Sequence, residues 1–247
     1  MTRLAVEGLC RAFGGVKAVD DVSFALHEGE LLALIGPNGA GKTTCFNLLN
    51  GQLRPDAGSI RLDGAELVGL PPRRIWRMGV ARTFQITATF ASMTVRENVQ
   101  MVLLSRLGRL HGLLARATHA CRDEAMAMLE RVGISPLAER PCGVLAYGDL
   151  KRVELAMALA SEPQLLLMDE PAAGMAPSER QELMALTSSL VRERGLAVLF
   201  TEHDMDVVFG HADRILVLDR GRLIAQGPPD AVRADERVQA VYLGEGL

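Results

Sequence analysis

Aromatic residues are scarce: one Trp, two Tyr and seven Phe make up 4% of 247 residues. A platform for carbohydrate or single-stranded RNA needs several rings to stack on, so neither ligand is expected. Charge of one sign is missing too. The 27 basic and 30 acidic side chains leave a net charge of −3 and an isoelectric point near 6.0, no footprint for general nucleic-acid binding. The four cysteines (Cys10, Cys45, Cys121, Cys142) form no C-x-x-C pair, which argues against a zinc site and reads as reduced packing residues of a cytosolic protein. No apolar run approaches the ~18 residues of a membrane-crossing helix. Residues 1–4 open no stretch of signal-peptide length. The expected place is the cytosol, with membrane contact only through a partner. What is present is 49% hydrophobic and 23% charged residues, a globular composition long enough for one large α/β domain with a modest subdomain.

Alternation at 4–9 and 16–30, with Val22, Phe24 and Leu26 on one face, predicts half-buried antiparallel strands. The continuous apolar run LLALI (31–35), followed at once by glycines and a helical stretch, predicts a buried parallel strand, a loop and a helix. Strand signals recur at 59–64, 80–84, 165–169 and 197–203, and a hairpin is expected over 215–227, turning at Arg220-Gly221. Between 86 and 162 no buried-strand run occurs, while 94–104, 121–133 and 149–160 carry apolar residues at helical spacing. That stretch reads as an inserted helical subdomain, with the basic segment 106–120 as a solvated connector or a contact surface. Further helices fit 178–194 and 204–211, and two short ones fit the tail 228–243. The chain shows no internal repeat.

Two motifs carry chemistry. GPNGAGKTT, from Gly36 to Thr44, matches G-x-x-x-x-G-K-(S/T) between a predicted strand and a predicted helix. Its glycines let the backbone N–H groups of the loop (Gly36, Asn38, Gly39, Ala40, Gly41) turn inward on an anion, where the helix N-terminus adds partial positive charge. Lys42 neutralises the β- and γ-phosphates, Thr43 offers a hydroxyl to Mg²⁺, and Thr44 completes the motif. The second motif is LLLMDE, in which an apolar strand delivers Asp169 and Glu170 to its C-terminal end, where α/β folds place ligands. Asp169 suits Mg²⁺ through its water shell, and Glu170 suits a general base for an attacking water.

With these motifs in place, nearly the whole chain resembles the nucleotide-binding cassette of an ABC transporter. The resemblance implies a P-loop NTPase core with a mainly parallel sheet, an N-terminal antiparallel β layer and an inserted α-helical subdomain. As one cassette over 1–247, it would divide into a RecA-like core (1–85 and 163–247) and a helical subdomain (86–162). It implies that Phe13 stacks on adenine, that Gln85 senses Mg²⁺ and the attacking water while touching the membrane subunit, and that His203 in TEHDM contacts the γ-phosphate. The family signature, usually Leu-Ser-Gly-Gly-Gln, falls on Leu145, Ala146, Tyr147, Gly148 and Asp149. Ala146 lacks the serine hydroxyl and Asp149 replaces the glutamine, so the grip on phosphate rests on Gly148 and a helix dipole. Ala176 stands where the family places Asp.

In the family the signature of one cassette completes the ATP site of another, so ATP, Mg²⁺, a second cassette and two membrane permease subunits are implied. The second cassette is a different chain or a second copy; the three substitutions favour a different chain. ARTFQ, MTVRENV, LAYG, DEPAAGM, EHDM and VYLGEG resemble the cassettes for uptake of branched-chain amino acids, which work with a solute-binding protein and sit on the inner face of the cell membrane. The alternatives are urea or amide uptake, lipopolysaccharide export, a soluble ABC ATPase acting on DNA or ribosomes, and a P-loop domain without turnover. No nucleic-acid partner is expected.

Overall fold

Period-two alternation decides how this chain is layered. In the computed structural model, which describes residues 1–83, 89–108 and 121–243 (Leu243 by its backbone alone), β1 (Thr2–Phe13) and β2 (Val16–His27) form a long hairpin. With β4 (Ala57–Leu62) and β5 (Ala65–Glu66) they make a four-stranded antiparallel sheet in the order β2-β1-β4-β5. A second, six-stranded sheet has the order β10-β9-β3-β8-β7-β6. In it β3 (Leu31–Ile35), β6 (Val80–Thr83), β7 (Leu165–Asp169), β8 (Ala197–Thr201) and β9 (Arg214–Asp219) run parallel, and β10 (Arg222–Gly227) pairs antiparallel at the edge. The β9–β10 turn falls at Arg220-Gly221, both with positive φ.

Strands β3, β7 and β8 are buried on both faces, which is why they read as unbroken apolar runs. Leu32, Leu34, Leu165, Leu167, Leu199 and Leu216 point to the antiparallel sheet and to Phe46 of α1 (Lys42–Leu49). Their neighbours Leu31, Ala33, Ile35, Leu166, Met168, Val198 and Phe200 point to the other face. There α6 (Pro177–Arg194) buries Leu183, Met184, Leu190 and Val191. The same apolar cluster runs on into α3 (Val95–Arg106), α4 (Arg122–Arg131) and α5 (Tyr147–Ala160), through Val99, Leu129 and Val153. Helices α7 (Met205–His211), α8 (Pro229–Ala234) and α9 (Glu236–Leu243) complete the chain, and the short α2 (Pro72–Arg77) links the sheets.

The expected strands and the expected helices among the described residues are present, their ends displaced by a few residues. Helix α3 opens with a capping box: Thr94 Oγ1 accepts the Glu97 N–H, and Glu97 Oε2 accepts the Thr94 N–H. Helix α2 and strand β5 are additions to the sequence reading, of six and two residues, too short for a period to register. Gln85, residues 109–120 of the basic segment and the end of the VYLGEG tail lie outside the described residues.

Candidate functional site

The C-terminal ends of β3, β8 and β7, neighbours in the sheet, deliver three loops to one edge: residues 36–41, 202–203 and 169–170. Two glycines of the first loop are dictated by space. A Cβ on Gly36 would stand 2.2 Å from the Leu218 carbonyl oxygen, and one on Gly41 (φ 107°) would stand 2.2 Å from that of Ala18. Only glycine brings the loop this close to β9 and β2. The loop ends on α1, whose N-cap, Gly41, offers no side-chain oxygen and whose first turn holds no acid. Lys42 is 8% exposed, and its ammonium lies back along the loop and donates to the carbonyl oxygens of Gly36 (2.5 Å) and Pro37 (3.1 Å). Uncapped helical amides beside a buried ammonium form a cradle for an anion, which fits a nucleotide's phosphates. Thr43 is exposed at the first turn of α1, and Thr44 is half-buried behind it.

Asp169 ends β7 with its carboxylate held on both sides. Oδ1 accepts the Thr201 hydroxyl at 2.9 Å, and Oδ2 meets Arg82 Nη2 at 2.7 Å. Arg82 also donates through Nη1 to Asn47 Oδ1 (2.6 Å) of α1, so one guanidinium ties β6, the phosphate-loop helix and the Asp169 carboxylate. Hydroxyl and carboxylate oxygens are the donors that a hard cation such as Mg²⁺ takes, so Thr43 and Asp169 suit that ion. Glu170 is left-handed (φ 49°) and its N–H bonds to Thr201. That turn aims the side chain at His203, whose Nε2 donates to Glu170 Oε1 at 3.0 Å. The acid and the imidazole expected to act on the γ-phosphate therefore stand together.

Phe13 is 44% exposed at the end of β1, with the Arg11 guanidinium 4.8 Å from its ring centroid. Arg11 is held by Asp56 (2.7 Å), which also accepts the Ala12 N–H. That N–H, more than Arg11, keeps the Asp56 carboxyl below the usual carboxylate range. The β2 segment that follows reaches the phosphate loop, where Ala18 lies against Gly41. The signature stretch opens α5: Leu145 is half-buried, Ala146 is the N-cap with no side-chain bond, and Tyr147 is exposed. Gly148 is buried, so close to α6 that a Cβ would lie 3.1 Å from the Glu179 carboxyl; Asp149 sits in the first turn of the helix. Tyr147 lies over Gly174, so the signature abuts the loop that follows Glu170.

Arg82, Thr201, Glu202 and Arg11 are at the site without having been singled out in the sequence. Arg82 had a signal, since a cation inside a strand such as VART must find a partner. Thr201 and Glu202 announce themselves only by adjoining His203.

Residues 19–173 match the family model described as ABC transporter, and residues 222–247 match that described as Branched-chain amino acid ATP-binding cassette transporter. The high-affinity branched-chain amino acid transport ATP-binding protein LivG of Salmonella typhimurium is 45% identical, the alignment covering 98% of each chain. The lipopolysaccharide export system ATP-binding protein LptB of Haemophilus influenzae is 35% identical, over 99% of this chain and 98% of that one. Among solved structures, the ADP conformation of MJ1267, an ATP-binding cassette of an ABC transporter, superposes with a TM-score of 0.87 at 29% identity, over 99% of both chains. The antiparallel layer, the mainly parallel core sheet and the helices between its strands are thus those of the ABC ATPase fold, and the chain belongs to the ATP-binding cassette family of ABC transporters, as an ATP-hydrolysing subunit.

Proposed function

We propose that the chain drives an importer for branched-chain amino acids, as one of two cassettes that close on ATP beneath two membrane permease subunits served by a solute-binding protein. The hydrolytic half of this reading rests on the 3.0 Å contact between Glu170 and His203 at the strand ends beside the phosphate loop. Phe13 presents its ring to adenine. The loop from Gly36 to Gly41, with Lys42, Thr43 and Thr44, grips the phosphates. Thr43, Gln85 and, through water, Asp169 would hold Mg²⁺, whose charge would offset that of the phosphates. Glu170 accepts a proton from the attacking water while the water oxygen bonds to the γ-phosphorus and the bond to the ADP oxygen breaks. His203 orients Glu170 and holds the γ-phosphate.

Exposed Ala146 and Tyr147 at the start of α5 support a signature that serves another cassette's nucleotide. Ala146, Asp149 and Ala176 favour a partner of different sequence, because two copies would each lack the signature hydroxyl. The core (1–85 and 163–247) and the helical part (86–162) would turn relative to each other on closure, passing motion to the permeases through Gln85. No helix among the described residues is long and apolar enough to cross a membrane. The chain would lie on the cytoplasmic face, held there by the permeases.

The C-terminal match over 222–247 and the greater likeness to LivG than to LptB support the solute. Reconstitution with the co-purifying membrane subunits tests it. Leucine, isoleucine or valine with the cognate binding protein is expected to stimulate ATP hydrolysis and to move to the cassette side of the membrane, accumulating inside vesicles that hold the cassettes in their lumen. Stimulation by urea alone, or by lipopolysaccharide without any binding protein, would overturn the assignment.

A further inference from the structure

Glu202 is a buried carboxylate that the scheme above leaves unused. It is 5% exposed and lies between Thr201, which donates to Asp169, and His203. Among the described residues no Lys or Arg pairs with it. Instead, Oε1 accepts the Ala172 N–H at 2.7 Å, and Oε2 accepts the His203 N–H at 3.3 Å. Ala172 is two residues past Glu170, so this one side chain bridges the loop that carries the acid and the loop that carries the imidazole.

We infer that Glu202 is a positioning residue of the hydrolytic site: by bonding the Ala172 and His203 amides it sets the distance between Glu170 and His203. The inference rests on the reading of those two residues as the hydrolytic pair. Both oxygens are used as acceptors, which explains why the residue is an acid. A glutamine must present its NH₂ to one of the two amides, replacing a bond with two opposed donors. Burial pushes the Glu202 carboxyl above its usual range and the neighbouring Glu170 charge adds to this, while the two N–H bonds pull the other way. A position that only filled space would be better served by an apolar side chain.

A second brace has the same direction. Asp204 caps α7 through the Asp206 and Val207 amides and pairs with Arg180 of α6, whose Nε donates to the Met175 carbonyl oxygen at 2.8 Å. The residues on either side of His203 are thus each tied to the segment 172–175, and His203 has little freedom to leave Glu170 while those ties hold.

The test compares Glu202→Gln and Glu202→Asp with wild type, using Glu170→Gln and His203→Ala as references. For Glu202→Gln the expected result is a fall in kcat of about tenfold or more, from misplacement of groups that remain present. ATP affinity, measured as nucleotide binding without turnover, should stay within about twofold. The amide proton of Ala172 or of His203, whichever the NH₂ faces, should move upfield in the ¹H–¹⁵N spectrum, and Glu202→Asp should recover part of the rate. Wild-type kcat in a folded Glu202→Gln variant, or a loss of ATP affinity as large as the loss of kcat, would overturn the inference while leaving the pair intact. Full hydrolysis in both reference variants would remove the pair itself, and the inference with it. Should Glu202→Gln melt below the assay temperature, Glu202→Asp decides: lowered kcat at unchanged KM supports the role, and an unchanged kcat contradicts it.

Discussion

Cys45 sits where two effects oppose each other. It lies in the first turns of α1, where a helix dipole favours a thiolate, yet it is 1% exposed beneath the phosphate loop. Burial prevails and pushes the thiol up to about 12. The folded protein should therefore resist alkylation at Cys45 at pH 8, with mass spectrometry showing modification there only after denaturation; rapid labelling in the native state would contradict the burial. Ala176 offers a second test at this scale. As the N-cap of α6 it has no acceptor, although Glu179 Oε2 supplies the other half of a capping box by accepting the Ala176 N–H at 3.2 Å. Ala176→Asp should complete the box and raise stability by ~1 kcal/mol, seen as a melting temperature ~2–4 °C higher. An unchanged or lower value would mean that the backbone at 176 is not free to serve as a cap.

At the scale of elements, the unit β3, loop and α1 shows why so much could be read from sequence. LLALI is apolar throughout because both faces of β3 are covered, and the glycines after it occupy places where a Cβ would strike Leu218 or Ala18. Local chemistry and tertiary space make the same demand there, so the motif is legible without a structure. Gly41→Ala should accordingly lose ATP binding and cost at least ~1–3 kcal/mol of stability, measurable by chemical denaturation. Unimpaired binding would mean that the loop can move away from β2. Where the demand is purely tertiary, the sequence is silent. Glu202 is one carboxylate beside a histidine until Ala172 folds back onto it from the neighbouring loop. Arg82 gains meaning only when β6 lies beside β7 and α1 brings Asn47 within reach. Phe13, on a half-exposed strand end, carries no periodic signal of its own role; only its order among the other motifs suggested it. Helix α2 was missed for the plainer reason that six residues do not define a period.

At the scale of the whole molecule, the cassette looks built to be half of something. Its phosphate loop, Asp169, Glu170 and His203 lie on one sheet edge, while the signature stands exposed at the start of α5, against the loop that follows Glu170. The substitutions at Ala146 and Asp149 fall on the face that would serve a second nucleotide, whereas the phosphate loop from Gly36 to Thr44 keeps its motif throughout. If that face serves a partner's ATP, as proposed, the lost hydroxyl falls on the partner's site and not on the chain's own, and the chain is expected to work best beside a different cassette. Mixed with such a cassette it should hydrolyse ATP faster than alone, and equal rates at equal total protein would argue for a homodimer.

The most direct measurement compares Glu170→Gln with wild type for ATP binding and ATP turnover in the presence of Mg²⁺. If Glu170 takes the proton of the attacking water, the variant keeps its ATP affinity and loses turnover by ~10²-fold or more. Turnover at the wild-type rate in Glu170→Gln would contradict the account at its centre, because the contact between Glu170 and His203 would then have no part in hydrolysis.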